Sequence, residues 1–126
     1  MSGVFGLIKN RERLSDGGKL LRRMGKHMAH RPWYQVDSFY DEQAQVGLGR
    51  IGIGIFNSEK QPVVSEDGSI RLTLSGEFYY QADLRRELEK KGSSFRDSSD
   101  AELALRLYQD RGSDFVKAVE GAFVLA

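Results

Sequence analysis

The chain opens MSGVFG, and the serine directly after the initiator methionine is the residue type and position with the clearest potential for chemistry. Removal of Met1 would give Ser2 a free α-amino group of unperturbed pKa about 7.7 to 8.0, so one residue could supply both a hydroxyl nucleophile and its base. A retained Met1 blocks that mechanism, and the plain alternative is a small residue with no role. Such a nucleophile needs partner groups, and candidates lie in LSGEFYY and SDAEL. Gly76 could present a backbone N–H to a developing oxyanion, because no side chain blocks the approach. On the plainer reading Ser75 and Gly76 form a turn between Leu74 and a following helix, and Glu77 is a solvated carboxylate. Asp100 could bind a substrate ammonium, or simply favour the N-terminus of its helix. Arg50, the one charged residue between Val46 and Phe56, is a bidentate partner for a carboxylate or else a solvent-face residue.

Other chemistries are poorly served. The 126 residues contain no cysteine, which removes disulfides, thiolate metal sites and thiol nucleophiles together. The two histidines, His27 and His30, have no third ligand beside them, so no metal site is expected. Gly47, Gly49 and Gly52 fit the spacing G-x-G-x-x-G, but a pyrophosphate site requires a helix opening inside that motif. Here the text continues IGIGIF, which alternates as a strand does; the glycines then let a strand bend or accept a close neighbour. With 19 basic and 18 acidic residues and no block of either sign, neither a nucleic-acid surface nor a membrane surface is indicated. No apolar run reaches membrane-spanning length and no signal peptide is evident, so the expectation is a cytoplasmic protein of one domain.

The elements that must position these residues follow from periodicity. Gly3 to Ile8 reads as a buried strand, bounded by the charged stretch Lys9 to Arg13, which would hold Ser2 in place. After the turn-like Ser15 to Gly18, the residues Leu20, Leu21, Met24 and Met28 recur at helical spacing and the helix stops before Pro32. VDSFY, QVGLGRIGIGIF and SIRLTL read as strands, and their short connections favour antiparallel pairing. ADLRRELEKKG is a helix closed by Gly92, and SDAELALRLYQDRG is a second, with Ser99 and Glu102 at capping-box spacing. A shorter helical piece, Asp114 to Val119, leads into AFVLA, a buried strand.

Taken in order, MSGVFGL, HR before Pro32, LGRIGI, Gln61 with Pro62, SGEFYY, SDAEL and EGAFVLA resemble the N-terminal glutaminase domain of asparagine synthetases and related class II glutamine amidotransferases. The resemblance spans essentially the whole chain, 1–126, as a single domain. It implies an α+β fold of the N-terminal nucleophile hydrolase type, an α-β-β-α sandwich of antiparallel sheets. Because that domain continues through further strands in the family, this chain reads as its first and larger part. The implied activity is hydrolysis of glutamine, with ammonia passed to a synthetase domain that activates an acid with ATP. ATP and magnesium belong to that synthetase portion, so no cofactor is expected in this chain. The implied partners are glutamine, or no small molecule at all, and a synthetase domain or subunit.

The resemblance also assigns roles. Ser2 stands where the family has its nucleophilic cysteine. Arg50 matches the arginine that holds the glutamine α-carboxylate, and Asp100 the acid that recognises the amino group. Gly76 and Glu77 are kept from the family's asparagine, glycine, glutamate element, whereas Ser75 replaces the asparagine that helps form the oxyanion hole. The family's arginine, glycine, proline, aspartate loop here reads Arg31, Pro32, Trp33, Tyr34. A hydroxyl is far less ionised than a thiol near neutral pH, and a lost oxyanion donor costs about 2.7 to 4 kcal/mol. The expectation is therefore a degenerate glutaminase domain that supports an amide-forming partner. The alternative is active glutamine hydrolysis, with Ser2 a working nucleophile or an introduced replacement of cysteine.

Overall fold

The computed structural model describes residues 2–9 and 15–126. Met1, whose removal the Ser2 chemistry requires, and residues 10–13 of the charged stretch lie outside the described residues.

The chain order is β1 (Gly3–Ile8), α1 (Gly17–Met28), β2 (Gln35–Asp41), β3 (Val46–Gly52), β4 (Val63–Val64), β5 (Arg71–Leu72), β6 (Leu74–Tyr79), α2 (Gln81–Lys90), α3 (Asp100–Arg111), a short 3₁₀ helix (Gly112–Ala118) and β7 (Glu120–Leu125). Three antiparallel sheets result, with strand orders β1-β3-β2, β4-β5 and β6-β7. Helix α1 packs on the first sheet, β1 and β3 meet β6, and α3 packs on β4, β5 and β6. The layers thus run helix, sheet, sheet, helix. The α+β sandwich with antiparallel pairing agrees with the expectation from the sequence.

Strand alternation explains which residues enter the space between the sheets. Gly47, Gly49 and Ile51 of β3 face α1, and a Cβ at Gly49 would lie 2.3 Å from the Phe5 ring. These glycines let ring and helix approach the sheet, and after Gly52 the next element is β4 rather than a helix opening at the motif, which removes the dinucleotide reading. Arg50 has the opposite parity and points between the sheets. In β6, Leu74 and Phe78 pack into the main core around α3, so Ser75 and Glu77 fall on the alternate face, toward β1 and β3.

Helix α3 is buried from Asp100 to Leu107. An almost wholly buried helix needs its polar groups satisfied, and Glu102 achieves this by pairing with Arg96 at 2.6 Å and Arg106 at 2.8 Å. Burial pushes the Glu102 carboxyl up, but the hydrogen bonds from Arg96 and Arg106 outweigh it and hold the group below its ordinary value. The capping box is half formed: Ser99 Oγ accepts from Glu102 N at 3.1 Å, whereas the Glu102 side chain turns to the arginines and Asp97 Oδ1 accepts from Ser99 N. Helix α2 ends as its sequence indicates. Gly92 at φ 93 lets Gly92 N reach Glu89 O and Ser93 N reach Leu88 O, a Schellman closure.

Four local expectations are corrected. The strand read over 45–56 ends at Gly52, because the chain leaves the sheet there and turns through Gly54 and Asn57 at positive φ. SIRLTL is divided between β5 and β6, with Thr73 pairing to Ala126 in both directions. Strand β1 is only partly covered, with Phe5 its buried residue, and β7 is mostly exposed rather than buried. Finally, Ser75, Gly76 and Glu77 are no turn before a helix; they lie inside β6, held in register with Val124, Phe123 and Ala122.

Candidate functional site

Ser2 precedes β1 by one residue, with the parity of Val4, whose partner in β3 is Arg50. It is solvent-exposed, yet it lines a cavity of about 140 Å³ together with Arg50, Asn57, Ser75, Gly76 and Glu77. Residues separated by most of the chain therefore share one wall because β1, β3 and β6 meet there. Five of the six sequence candidates are in this group.

Arg50 is 3% exposed, so it is no solvent-face residue. Its Nη2 donates to Asp37 Oδ2 at 2.9 Å, the cross-strand neighbour in β2, and to Glu59 O at 3.1 Å. Nη1 donates to the Asn57 carbonyl, while Nε is buried with no hydrogen-bond partner. One carboxylate and two carbonyls thus accept hydrogen bonds from the buried guanidinium.

Asp100, the first residue of α3, is 4% exposed and lies on an adjoining cavity of about 400 Å³. Phe56, Asn57 and Glu77 line both cavities and form the partition between them. Oδ2 of Asp100 accepts from Phe78 N at 2.9 Å and from Asn57 Nδ2 at 3.1 Å, and Oδ1 is buried and unpartnered. Asp100 thus does more than favour its helix N-terminus: it ties α3 to β6 and to the 53–60 segment.

Gly76 has φ 113, a conformation that side-chain-bearing residues rarely adopt. A Cβ there would lie 2.1 Å from Ala122 O, and the Gly76 carbonyl accepts from Asn57 Nδ2 at 2.8 Å. Ser75 is 6% exposed beside it. Chemically, the two adjoining cavities offer a hydroxyl at Ser2, a buried guanidinium at Arg50 and a buried carboxyl group at Asp100. A cation and an anion placed apart are the complement of an α-amino acid, whose carboxylate and ammonium share one carbon.

The profile of the glutamine amidotransferase domain matches residues 1–126. The chain belongs to this glutamine amidotransferase family. It is 30% identical over 126 residues to a probable glutamine-hydrolyzing asparagine synthetase of Dictyostelium discoideum, covering 98% of this chain and 22% of that protein. Glutamine-hydrolyzing asparagine synthetase 1 of Bacillus subtilis is 29% identical over 125 residues, covering 98% and 20%. Asparagine synthetase 1 of Arabidopsis thaliana, also glutamine-hydrolyzing, reaches 41% over 66 residues, which is 52% of this chain and 11% of that one. The domain is homologous to the N-terminal part of asparagine synthetases and spans about a fifth of the length of the first two relatives.

Two residues of the amidotransferase domain went unread in the sequence. Asp37 had a usable signal, an acid inside an alternating strand, the same signal that drew notice to Arg50. Asn57 had none beyond being a polar residue after IGIGIF, because its role depends on a loop returning between two sheets. His30 Nδ1 bonds to Met28 O at 3.0 Å and its ring meets Tyr34 edge-on. Among the described residues no group of three metal-ligating side chains is gathered.

Proposed function

We propose that this amidotransferase domain carries a residual glutamine pocket, with Arg50 for the α-carboxylate, Asp100 for the amino group, and Gly76 and Glu77 along the amide. In this reading Ser2 occupies the nucleophile position with little or no glutaminase activity. The domain then acts mainly as the structural partner of an ATP-dependent, amide-forming synthetase domain or subunit. The observation that carries the proposal is the shared cavity wall of Ser2, Arg50, Ser75, Gly76 and Glu77. An unactivated hydroxyl is a weak nucleophile, and the absent carboxamide at 75 removes an oxyanion donor worth about 2.7 to 4 kcal/mol.

The position of Ser2 on that wall also favours a second reading, in which Ser2 attacks glutamine using its own amine as base. Glutamate release from glutamine decides between them, comparing the chain with its Ser2→Cys variant after intact mass has shown Met1 removed from both. The expected outcome is release by the cysteine form alone. Release by the serine form above a no-enzyme control establishes the second reading and ends the first. Release by neither removes the claim of an intact pocket.

A further inference from the structure

Both charged groups of the amino-acid clamp are already engaged, and by the same residue. The Asn57 carbonyl accepts from Arg50, as a ligand carboxylate oxygen would. The Asn57 side chain meets Asp100 twice: Nδ2 donates to Oδ2 at 3.1 Å, as a ligand ammonium would, and Oδ1 accepts from the Asp100 backbone N–H at 2.8 Å. The second Nδ2 hydrogen goes to Gly76 O at 2.8 Å. Asn57 achieves this at φ 49, in the left-handed region that asparagine tolerates better than most residues.

We infer that Asn57 is a built-in occupant of the clamp, so that segment 53–60 closes the pocket to glutamine until it is displaced. The inference rests on the proposed assignment of Arg50 and Asp100 to the carboxylate and ammonium of an amino acid. Two further observations support it. Arg50 Nε and Asp100 Oδ1 are both buried and unpartnered, valences left over for a ligand. Within the segment Ile55 and Phe56 are each 66% exposed although they border the cavities, whereas the adjacent Asn57 side chain is fully bonded. Apolar burial therefore contributes little to holding Ile55 and Phe56 in place. Displacement of the segment exchanges one set of polar contacts for a similar set from the ligand.

The sign of a substitution effect separates an occupant from a residue that merely positions the pocket. Asn57→Gly accepts the same backbone conformation and removes the carboxamide. An apparent affinity scales with the fraction of molecules in the open form, so a segment closed about nine-tenths of the time hides about tenfold in Kd. Titration calorimetry with L-glutamine on the wild-type chain and on Asn57→Gly should show at least about tenfold tighter binding by the variant. Asn57→Asp provides a second route: at neutral pH its carboxylate faces Asp100 Oδ2 and Gly76 O, where the amide had donated, so the segment is expelled and binding again rises. Equal or weaker binding by folded variants overturns the occupant while leaving the clamp. No binding to any of the three chains overturns clamp and occupant together. If both variants fail to give a dispersed amide spectrum, Asn57 is a structural staple and the inference is wrong.

Discussion

Gly76 carries two constraints at once, a positive φ and a neighbouring carbonyl where a side chain would begin. Gly76→Ala is expected to destabilise the chain by at least about 2 kcal/mol, read as a lower urea midpoint, because neither constraint can relax without separating β6 from β7. Ser75 has the opposite character, a replaceable residue whose change should restore rather than remove. In the Ser2→Cys background, Ser75→Asn is expected to raise the rate of glutamate release roughly a hundredfold, the usual worth of one oxyanion donor. An unchanged rate would show that position 75 does not face the reacting carbonyl. The sequence revealed these two residues as a motif but misjudged their setting, since SGE reads locally as a turn and becomes a strand only because β7, more than 40 residues later, pairs with it.

Helix α3 was legible from its text alone, because a cap, a regular apolar spacing and a terminal glycine all agree there. What the text did not tell is that the helix is covered on nearly every side, so its charged residues must pair internally. Leu105 is fully buried, and Leu105→Ala is expected to cost about 2 to 5 kcal/mol by urea denaturation. Glu102→Gln keeps the volume and removes one of the two carboxylates, Glu102 and Glu66, that pair with Arg106, itself 8% exposed. Loss of one partner of a buried pair costs on the order of 3 kcal/mol, so this polar substitution should rival the core truncation in the same measurement. The 53–60 segment marks the opposite limit. The IGIGIF alternation promised a longer strand, and the promise failed because β3 has partners on both sides only as far as Ile51, Gly52 pairing with β2 alone.

At the scale of the molecule, antiparallel pairing followed from strand alternation and short connections and the order of layers from the family resemblance, whereas the place of Asn57 between the two cavities required the folded chain. No helix among the described residues is long and apolar enough to cross a membrane. Acid sensitivity is also a whole-molecule property. Glu66 is lowered to about 2 by the Arg106 hydrogen bond, Asp67 to about 2 by Ser65 and Ser69, and Glu102 lies below its ordinary value for the reasons given. Carboxyls depressed on folding contribute stability that is fully present above their unfolded values, about 3.9 to 4.3, and lost as pH falls through their folded ones. The urea midpoint should therefore hold steady down to about pH 5 and fall between about pH 4 and 2.

The cavity has no wall that a single stretch of chain can build: Ser2, Arg50, Gly76 and Ala122 come together only when the two sheets dock. During refolding, α3 and α2 can gain their helical circular dichroism from nearby residues, while these distant strands must first close long loops. Pulse-labelled hydrogen exchange should accordingly find the amides of α3 protected before those of Arg50 and Gly76. The pocket would then be among the last features of the molecule to exist in time, and among the first to disappear when any layer loosens.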